Sequence, residues 1–327
     1  MLTKAIKVYS PTSADLQFLA KVKSSYSHVK SYYDRSLLQY ARQQIPEAEL
    51  EKKAREVMAK CGGVSYRDAL LLELLHWYKK DFFKWVNKPE CAMCSGAEAT
   101  MNASGATMPS VSERSGAAVV TEVYGCQLCG CQTRFPRYND PRKLLTWRKG
   151  RCGEWANCFT LCCLALGFEA RYVVDWTDHV WTEVYSESQK RWMHCDSCED
   201  KCDIPLLYEA GWGKKLNYVL AFSDSHIVDV TKRYTRKWDE LKTHRTLIDE
   251  TFLEQQLNLL NESIAGMLPM EILMSLFDRN AQERDELETP IPTNTIGLEG
   301  RVSGSLEWRV ARGEAAPSSS SQPPQSS

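Results

Sequence analysis

The sequence predicts an α+β fold in which one helix packs on an antiparallel sheet, with a cysteine-rich lobe and flanking helices. Three observations predict it. A helix-like segment beginning at Gly150 precedes runs in which β-branched and aromatic residues alternate with others, FEARYVVDW, DHVWTEVY and RWMHCD. Two Cys-x-x-Cys pairs stand before that segment. Both ends of the chain carry apolar residues at helical spacing.

Composition excludes several function classes. The chain has 327 residues with 41 basic and 42 acidic side chains, so it can bury a substantial core and carries almost no net charge. A balanced charge argues against a binder of nucleic-acid backbones. Because the start, MLTKAIKVYSPTS, has no sustained apolar stretch, we expect no signal peptide, and runs such as LCCLALGF are too short to span a bilayer. We therefore expect no nucleic-acid partner, no membrane insertion, and thirteen cysteines that serve as thiols and metal ligands.

Residues 1–85 are predicted to form a helical segment. Residues 15–44 show apolar positions at helical spacing, and Pro46 fits the first turn of a second helix that ends at Gly62. Ser65 begins a capping box before a leucine-rich and aromatic third helix, which we interpret as core. For the first helix, a partner-binding face is the alternative to core packing.

Four cysteines have the spacing of a structural zinc site. Two Cys-x-x-Cys knuckles, separated by a long intervening segment, are formed by Cys91 with Cys94 and by Cys126 with Cys129. Four thiolates leave the metal no open position, so its role is expected to be structural. A redox pair or free thiols are the alternatives, and Cys131 is a spare that could compete as a ligand. The intervening SGAEATMNASGATMPSVSERSGAA is predicted to be a flexible loop.

A cysteine, a histidine and an aspartate follow one another as a catalytic triad would. Cys152 stands in the first turn of a helix, where backbone N–H groups, the helix dipole and a nearby imidazolium would favour its thiolate. His179 lies on a following strand as the base, and a hairpin would bring Asp196 beside it to orient the imidazole. The structural alternative is that each is an ordinary core residue. Weaker rivals are His194 as base and Asp175 or Asp178 as the carboxylate.

At residues 82–238 the sequence resembles the cytoplasmic peptide:N-glycanases of the transglutaminase-like superfamily. GRCGEWANCF, DHVWTEVY, HCDSCED and PLLYEAGWGKKLNYV carry the resemblance. It implies a transglutaminase-like and papain-like core over residues 86–238, with the zinc-binding lobe at about 86–135. It also implies that Cys152 is the nucleophile, His179 the base and acid, and Asp196 the orienting carboxylate.

The same resemblance implies sugar-binding or cleft roles for four further residues, Arg171, Trp181, Glu183 and Trp192. Spacing adds some support, because His179, Trp181 and Glu183 alternate by two and so share one face of a strand. On residue type alone, tryptophans are more often core than sugar-binding. A second cysteine group, Cys195, Cys198 and Cys202, lacks an evident fourth ligand and is interpreted as structural thiols.

The C-terminal part is predicted to be helical and then disordered. Residues 239–289 contain two amphipathic helices, which form either a plain cap or a partner site. In fungal relatives, terminal helices bind a ubiquitin-receptor proteasome shuttle protein. Residues 290–327 are rich in Pro, Ser and Gln and are predicted to be a disordered tail. Within it, GRVSGSLEWRVARGE resembles the start of the family's C-terminal glycan-binding sandwich.

The activity implied by the resemblance is a glycosylasparagine amidase. Such an enzyme cleaves the amide bond between an N-glycan and the Asn side chain of misfolded, high-mannose glycoproteins and leaves Asp, through a thioester on Cys152. This implies a cytoplasmic location, and a nuclear one in addition, in support of ER-associated degradation. A transglutaminase-like cysteine protease and a non-catalytic binding module of the same fold are the rival functions.

Overall fold

The computed structural model describes residues 9–60, 62–289 and 298–315. The helices are α1 (Ser13–Lys30), α2 (Arg35–Gln43), α3 (Glu47–Lys60), α4 (Tyr66–Trp77), α5 (Val111–Arg114), α6 (Pro141–Trp147), α7 (Cys152–Ala165), α8 (Trp238–Leu241), α9 (Glu250–Ala265), α10 (Met270–Glu288) and α11 (Leu306–Ala311). The strands are β1 (Lys84–Trp85), β2 (Met101–Thr107), β3 (Thr121–Cys126), β4 (Gln132–Pro136), β5 (Lys149–Gly150), β6 (Ala170–Asp175), β7 (His179–Ser186), β8 (Arg191–Asp196), β9 (Lys201–Cys202), β10 (Val219–Phe222) and β11 (Ile227–Asp229).

The predicted first helix is in fact two helices. The Thr12 hydroxyl accepts from the backbone N–H of Asp15, whose carboxylate accepts from the N–H of Thr12, so α1 begins with a capping box. The helical segment then breaks at a 3-10 turn, Ser31–Tyr33. Asp34 starts α2 because its carboxylate accepts from the N–H of Leu37 at 2.7 Å.

The central sheet contains the three strands that the sequence predicts most clearly. Its order is β11-β10-β6-β7-β8-β9, and each neighbouring pair is antiparallel. Strands β10 and β11 extend this sheet beyond β6. Helix α7 lies on this sheet and is buried along almost its whole length. The predicted arrangement of a helix on an antiparallel sheet is therefore confirmed.

The cysteine-rich lobe is more ordered than the sequence suggests. Residues 101–107 form β2, which pairs with β3 in a three-stranded sheet, with an irregularity between Ala103 and Gly105. Ser110 then caps α5 by accepting from the N–H of Glu113. The prediction of a flexible loop is wrong here, because backbone pairing with β3 compensates for small residues of low strand propensity.

One hydrophobic core joins parts of the chain that are distant in sequence. It includes Leu19 of α1, Leu74 of α4, Phe159 of α7 and Leu253 of α9. The boundaries at residues 85 and 238 therefore mark changes of sequence pattern and stay predictions as domain limits. Within the described residues, no helix has the length and apolar character needed to cross a membrane.

The C-terminal tail is partly ordered. Residues 298–315 lie against the catalytic core, and the Arg301 side chain in this segment is fully buried. The prediction of a disordered tail is wrong for these residues, because a buried ion pair with Glu314 and aromatic contacts hold the segment in place. Residues 290–297 and 316–327 of the predicted tail lie outside the described residues.

Candidate active site

Cys152 lies at the first position of α7, held by a glycine and a buried glutamate. The Glu154 carboxylate accepts from the backbone N–H of Arg151 at 3.0 Å and from the guanidinium of Arg137. A Cβ at Gly150 would lie 2.5 Å from the Cβ of Glu154, so only glycine lets the chain pass so close. These contacts fix where α7 starts and therefore where the thiol lies.

The cysteine-rich lobe is tied directly to this helix start. Glu122 on β3 accepts from the Arg151 guanidinium at 2.7 and 2.8 Å and from Arg137 at 3.0 Å. The Arg151 guanidinium also donates to the carbonyls of Val86 and Asn87. The lobe thus positions the residue that immediately precedes Cys152.

His179 and Asp196 form the predicted pair. Nε2 of His179 lies 2.8 Å from Oδ2 of Asp196, and both residues are buried. Asp196 also accepts from the hydroxyl of Tyr208 at 3.0 Å and from the N–H of Cys198 at 2.8 Å. A carboxylate with these donors stays an acceptor, so it holds the proton on Nε2 and leaves Nδ1 of His179 as the basic atom.

Cys152 and His179 line the same cavity, whose volume is about 310 Å³. Gly153 belongs to the lining, and its missing side chain leaves open space beside the thiol. One wall comes from α1, so this helix contributes to the cleft, where the sequence suggested core packing or a partner face. The other lining residues include Lys21, Ser24, Ser25, His28, Asn139, Tyr172 and Asp178.

Burial makes the resting pair neutral. It raises the pKa of the Cys152 thiol above its ordinary value, although the nearby Arg301 cation opposes this. The pKa of His179 is lowered well below its ordinary value, mainly by burial and to a smaller extent by the cations of Arg301 and Lys214. The expectation that a nearby imidazolium stabilises a resting thiolate is therefore wrong, because burial disfavours the charged form of both groups. Neutral His179 is suited to act as a general base.

None of the four residues with implied sugar-binding roles lines this cavity. Arg171 is buried between the carboxylates of Glu183 and Glu283, and its guanidinium lies 3.9 Å from the ring of Trp192. Trp181 is buried and donates to the hydroxyl of Tyr234 at 2.7 Å. These contacts are those of a structural network, because the guanidinium and carboxylates already pair with one another. Substrate contact by these residues stays a prediction that this arrangement does not support.

Four sulfurs in the lobe have the geometry of a metal site. The Sγ atoms of Cys91, Cys94, Cys126 and Cys129 all lie within 4.8 Å of one another. The pairs Cys91–Cys129 and Cys94–Cys126 are 3.5 and 3.6 Å apart. Tetrahedral zinc at about 2.3 Å from each sulfur would place sulfurs about 3.8 Å apart, so the donor set fits. Backbone N–H groups of Cys94 and Met93 lower the pKa of Cys91 to about 6, which favours a thiolate ligand.

The remaining candidates do not join either site. Over the described ranges, the Cys91 group alone brings three or more metal-ligating side chains together. Cys195 and Cys202 face each other across β8 and β9 with sulfurs 3.7 Å apart. His194 bonds to the Tyr208 hydroxyl at 2.7 Å, and burial lowers its pKa to about 4, so it supports Asp196 indirectly.

Sequence reasoning missed three residues that surround His179. These are Tyr208, Lys214 and Arg301. The first two stand in PLLYEAGWGKKLNYV, and the third stands in GRVSGSLEWRVARGE, two stretches that carried the family resemblance. The resemblance could have marked these stretches as functional, but no local spacing links them to a histidine on β7.

Two family models match the chain. The model described as "Transglutaminase-like superfamily" matches residues 102–197, a span that contains Cys152, His179 and Asp196. The model described as "Rad4 transglutaminase-like domain" matches residues 175–290.

Curated relatives match nearly the whole chain. A mouse protein named peptide-N(4)-(N-acetyl-beta-glucosaminyl)asparagine amidase is 50% identical over 306 residues, which is 92% of this chain and 47% of that protein. Relatives of the same name in Arabidopsis thaliana and rice are each 45% identical, over 91% and 90% of this chain and 42% and 67% of theirs. The chain thus spans about half the length of the first of these relatives.

Solved structures agree on the fold. A Rad4–Rad23 complex crosslinked to undamaged DNA contains a chain with a TM-score of 0.51 and 14% identity, covering 85% of this chain and 58% of that one. A Rad4–Rad23 complex bound to a 6-4 photoproduct lesion gives a TM-score of 0.50, also at 14% identity, with 85% and 59% coverage. At such identity the likeness shows the fold alone, and together with the two family models it confirms the predicted transglutaminase-like α+β class.

Proposed function

Because the chain belongs to the family of peptide-N(4)-(N-acetyl-beta-glucosaminyl)asparagine amidases, we propose that it hydrolyses the amide bond between an N-glycan and an asparagine side chain. The observation that carries the proposal is that Cys152 and His179 line one cavity while Asp196, behind His179, holds its Nε2 at 2.8 Å. Such an arrangement supports nucleophilic acyl transfer by a thiol.

The first half of the reaction forms a thioester. Nδ1 of His179 takes the proton from the Cys152 thiol as the sulfur attacks the amide carbon. The backbone N–H groups in the first turn of α7, which include that of Gly153, would donate to the oxyanion. The C–N bond then breaks, and Nδ1 returns its proton to the nitrogen of the departing glycosylamine.

The second half releases the peptide. His179 takes a proton from a water molecule, which attacks the thioester carbon, and the Cys152 sulfur leaves and recovers its proton. The asparagine has then become aspartate, and the free glycosylamine loses ammonia spontaneously. Throughout, Asp196 and Tyr208 hold the imidazole in one orientation.

The proposed substrates are misfolded glycoproteins that carry high-mannose glycans. The cavity is open and is lined by polar groups from α1 and from Asn139, which suits a hydrated sugar beside an extended peptide. We place this activity in the cytoplasm, or also the nucleus, in support of ER-associated degradation. The need for a reduced nucleophile and reduced metal ligands supports a reducing compartment.

The proposed metal is one structural zinc ion on the four cysteines of the lobe. Thiolate ligands favour zinc over magnesium or calcium, and four of them leave no position for substrate. When bound, the ion supplies rigidity alone. Its effect would reach Cys152 through Glu122 and Arg151, which connect β3 to α7.

A partner surface on α10 is part of the same proposal. Met270, Met274 and Phe277 are about two-thirds exposed, and their spacing places them on one side of the helix. A ubiquitin-receptor shuttle protein would offer an apolar groove to such a stripe. Replacing Met274 and Phe277 by Ser should abolish co-elution with that receptor while leaving turnover intact, and unchanged co-elution would refute this surface.

The amidase is tested by mass-resolved analysis of a denatured high-mannose glycopeptide. The zinc-loaded chain should release the intact glycan and convert Asn to Asp. Cys152→Ala should abolish this, while Cys202→Ala, which removes a half-buried thiol outside the cleft, should retain it. Peptide-backbone cleavage or amine cross-linking would show a protease or a transglutaminase, and absence of turnover by folded protein would favour a binding module.

A further inference from the structure

A C-terminal segment closes one side of the active site. We call residues 298–315 the strap. It contains α11, and its Arg301 side chain is 0% exposed. Nη2 of Arg301 lies 3.5 Å from Nδ1 of His179, the ring nitrogen that the reaction uses. A buried cation therefore lies beside the catalytic base.

Arg301 is held firmly in this position. Its guanidinium donates to Glu314 at 2.8 Å and to the hydroxyl of Ser303 at 3.1 Å. It lies between two indoles, 4.6 Å from the ring of Trp212 and 4.5 Å from that of Trp308. Such contacts fix both the position and the plane of the guanidinium.

The strap itself is anchored close to the triad. The buried carboxylate of Glu199, three residues after Asp196, accepts from the backbone N–H groups of Val302 and Ser303 at 2.7 and 2.9 Å. A Cβ at Gly211 would lie 2.6 Å from the carbonyl oxygen of Glu299. The strap therefore packs against the core without space for a further side chain at this point.

The strap does not block the nucleophile. The cavity that contains Cys152 and His179 is lined by α1 and by β6 and β7, and by no residue of the strap. Arg301 approaches the pair from another side. Its position is consequently that of a wall of the site, and a substrate can reach the thiol while the strap is docked.

We propose that Arg301 is a positioning residue that sets the protonation balance of the Cys152–His179 pair. Its cation stabilises negative charge on the sulfur as the proton moves to Nδ1 of His179. It also disfavours a lasting imidazolium, so the proton passes on to the departing nitrogen. The reaction step rests on the proposed amidase function, whereas the effect on the thiol does not.

Other charged side chains also influence the pKa values of Cys152 and His179. Around Cys152, Asp178 and Glu154 raise the thiol pKa, while Arg301 and Arg137 lower it, all against the larger effect of burial. Around His179, Arg301 and Lys214 lower the pKa of the imidazole, and Asp175 and Glu314 raise it. Among these cations, Arg301 is the one that the strap supplies.

The test measures alkylation of Cys152 by iodoacetamide at a series of pH values, with site-resolved mass spectrometry on the zinc-loaded full chain. Arg301→Gln should move the midpoint of the rate profile upward by roughly one pH unit. Arg301→Lys should give a smaller upward shift. Arg191→Gln, which removes an arginine that pairs with Asp203 at the far end of β8, should leave the midpoint unchanged.

A second variant, expected to shift the alkylation midpoint in the opposite direction, keeps the proposal testable if Arg301→Gln does not fold. Glu314→Gln removes the carboxylate that offsets the Arg301 cation, so its midpoint should move downward. An unchanged midpoint in folded Arg301→Gln overturns the proposal. Faster alkylation in that variant also overturns it, because it would show that Arg301 merely blocks access of the reagent to the thiol. A chain that shows these shifts but does not release glycans would refute the amidase function and leave this inference standing.

Discussion

At the scale of single residues, the chemistry depends on which nitrogen of His179 carries a proton. Asp196 accepts from Nε2, and the Tyr208 hydroxyl occupies the same carboxylate oxygen. Nδ1 is therefore the ring nitrogen left for catalysis, with the Arg301 guanidinium 3.5 Å away, and it can act as a base only while it is unprotonated. The low pKa of His179 keeps it so under mildly acidic conditions.

This leads to a prediction about pH dependence. Glycan release should fall on the acid side at a pH well below the ordinary histidine value of 6.5, because activity needs neutral His179 and its pKa is lowered. Lys214→Met removes one cation that lowers this pKa and frees Asp175, to which it is paired. The pKa of His179 should then rise, and the acid limb of kcat/KM should move upward by about one pH unit.

Lys215→Met is the matched control for this shift. Lys215 is exposed and is not among the groups with the largest effect on the pKa of His179, so the acid limb should stay close to that of the wild type. The prediction fails if Lys214→Met moves the acid limb downward or leaves it unchanged while the protein remains folded.

The triad could be predicted from the sequence because it is local. One helix and two adjacent strands carry Cys152, His179 and Asp196 within 45 residues. Arg301 could not be predicted in the same way, since it is 122 residues from His179 and only the packing of the strap brings them together. For Arg171 the resemblance implies a sugar contact, and the buried ion pairs that the fold gives it could not be foreseen from the sequence.

At the scale of elements, the start of α7 depends on a glycine. Gly150→Ala would place a methyl group 2.5 Å from the Cβ of Glu154, whose carboxylate holds Arg137 and Arg151. The helix start should shift, and both glycan release and Cys152 alkylation should fall by about 100-fold. Gly62→Ala, where no atom lies within 4 Å of the added carbon, should change neither rate. Wild-type alkylation in Gly150→Ala would contradict this account.

Removal of the metal from the cysteine-rich lobe should disturb the start of α7. Chelation should loosen the knuckles, weaken the Glu122–Arg151 contact and abolish most glycan release, and zinc but not magnesium should restore it. Cys94→Ala should reproduce the loss, and Cys131→Ala, outside the four-sulfur group, should not. Full turnover by metal-free protein, as judged by elemental analysis, would show that the lobe does not position Cys152.

The lobe also shows where sequence patterns stop being informative. The four ligands are evident from two Cys-x-x-Cys pairs, but β2, with the sequence MNASGAT, has neither alternation nor β-branched residues apart from its last position. Its strand geometry comes from pairing with β3, whose own partner on the other edge is β4. Backbone pairing of this kind leaves no mark in composition.

At the scale of the whole molecule, a buried charge network fastens α10 to the central sheet. Glu283 on α10 accepts from Arg171 on β6 and from Arg233, which follows β11. Glu183 on β7 accepts from both arginines as well. The amphipathic pattern predicted the helix, but only the fold shows that one of its charged residues points inward and pairs.

The last prediction concerns the stability of this network. Glu283 is 3% exposed, and its pKa is about 2 because Arg171 and Arg233 offset the cost of its burial. Glu283→Gln would leave two buried guanidinium groups with too little negative charge and should lower the free energy of unfolding by about 3–5 kcal/mol at neutral pH. Glu288→Gln, which breaks an exposed pair with Lys232 at 2.7 Å, should cost at most about 1 kcal/mol.

The pH dependence separates this charge effect from a simple packing defect. A carboxylate with a lowered pKa stabilises the fold above the unfolded value near 4.5, and this stabilisation is lost as the pH falls toward about 2. Urea unfolding of the wild type should therefore show a loss over that window that Glu283→Gln lacks, so the two stabilities should converge at low pH. Parallel curves across the window would mean that Glu283 acts through packing and that α10 is held by its apolar face instead.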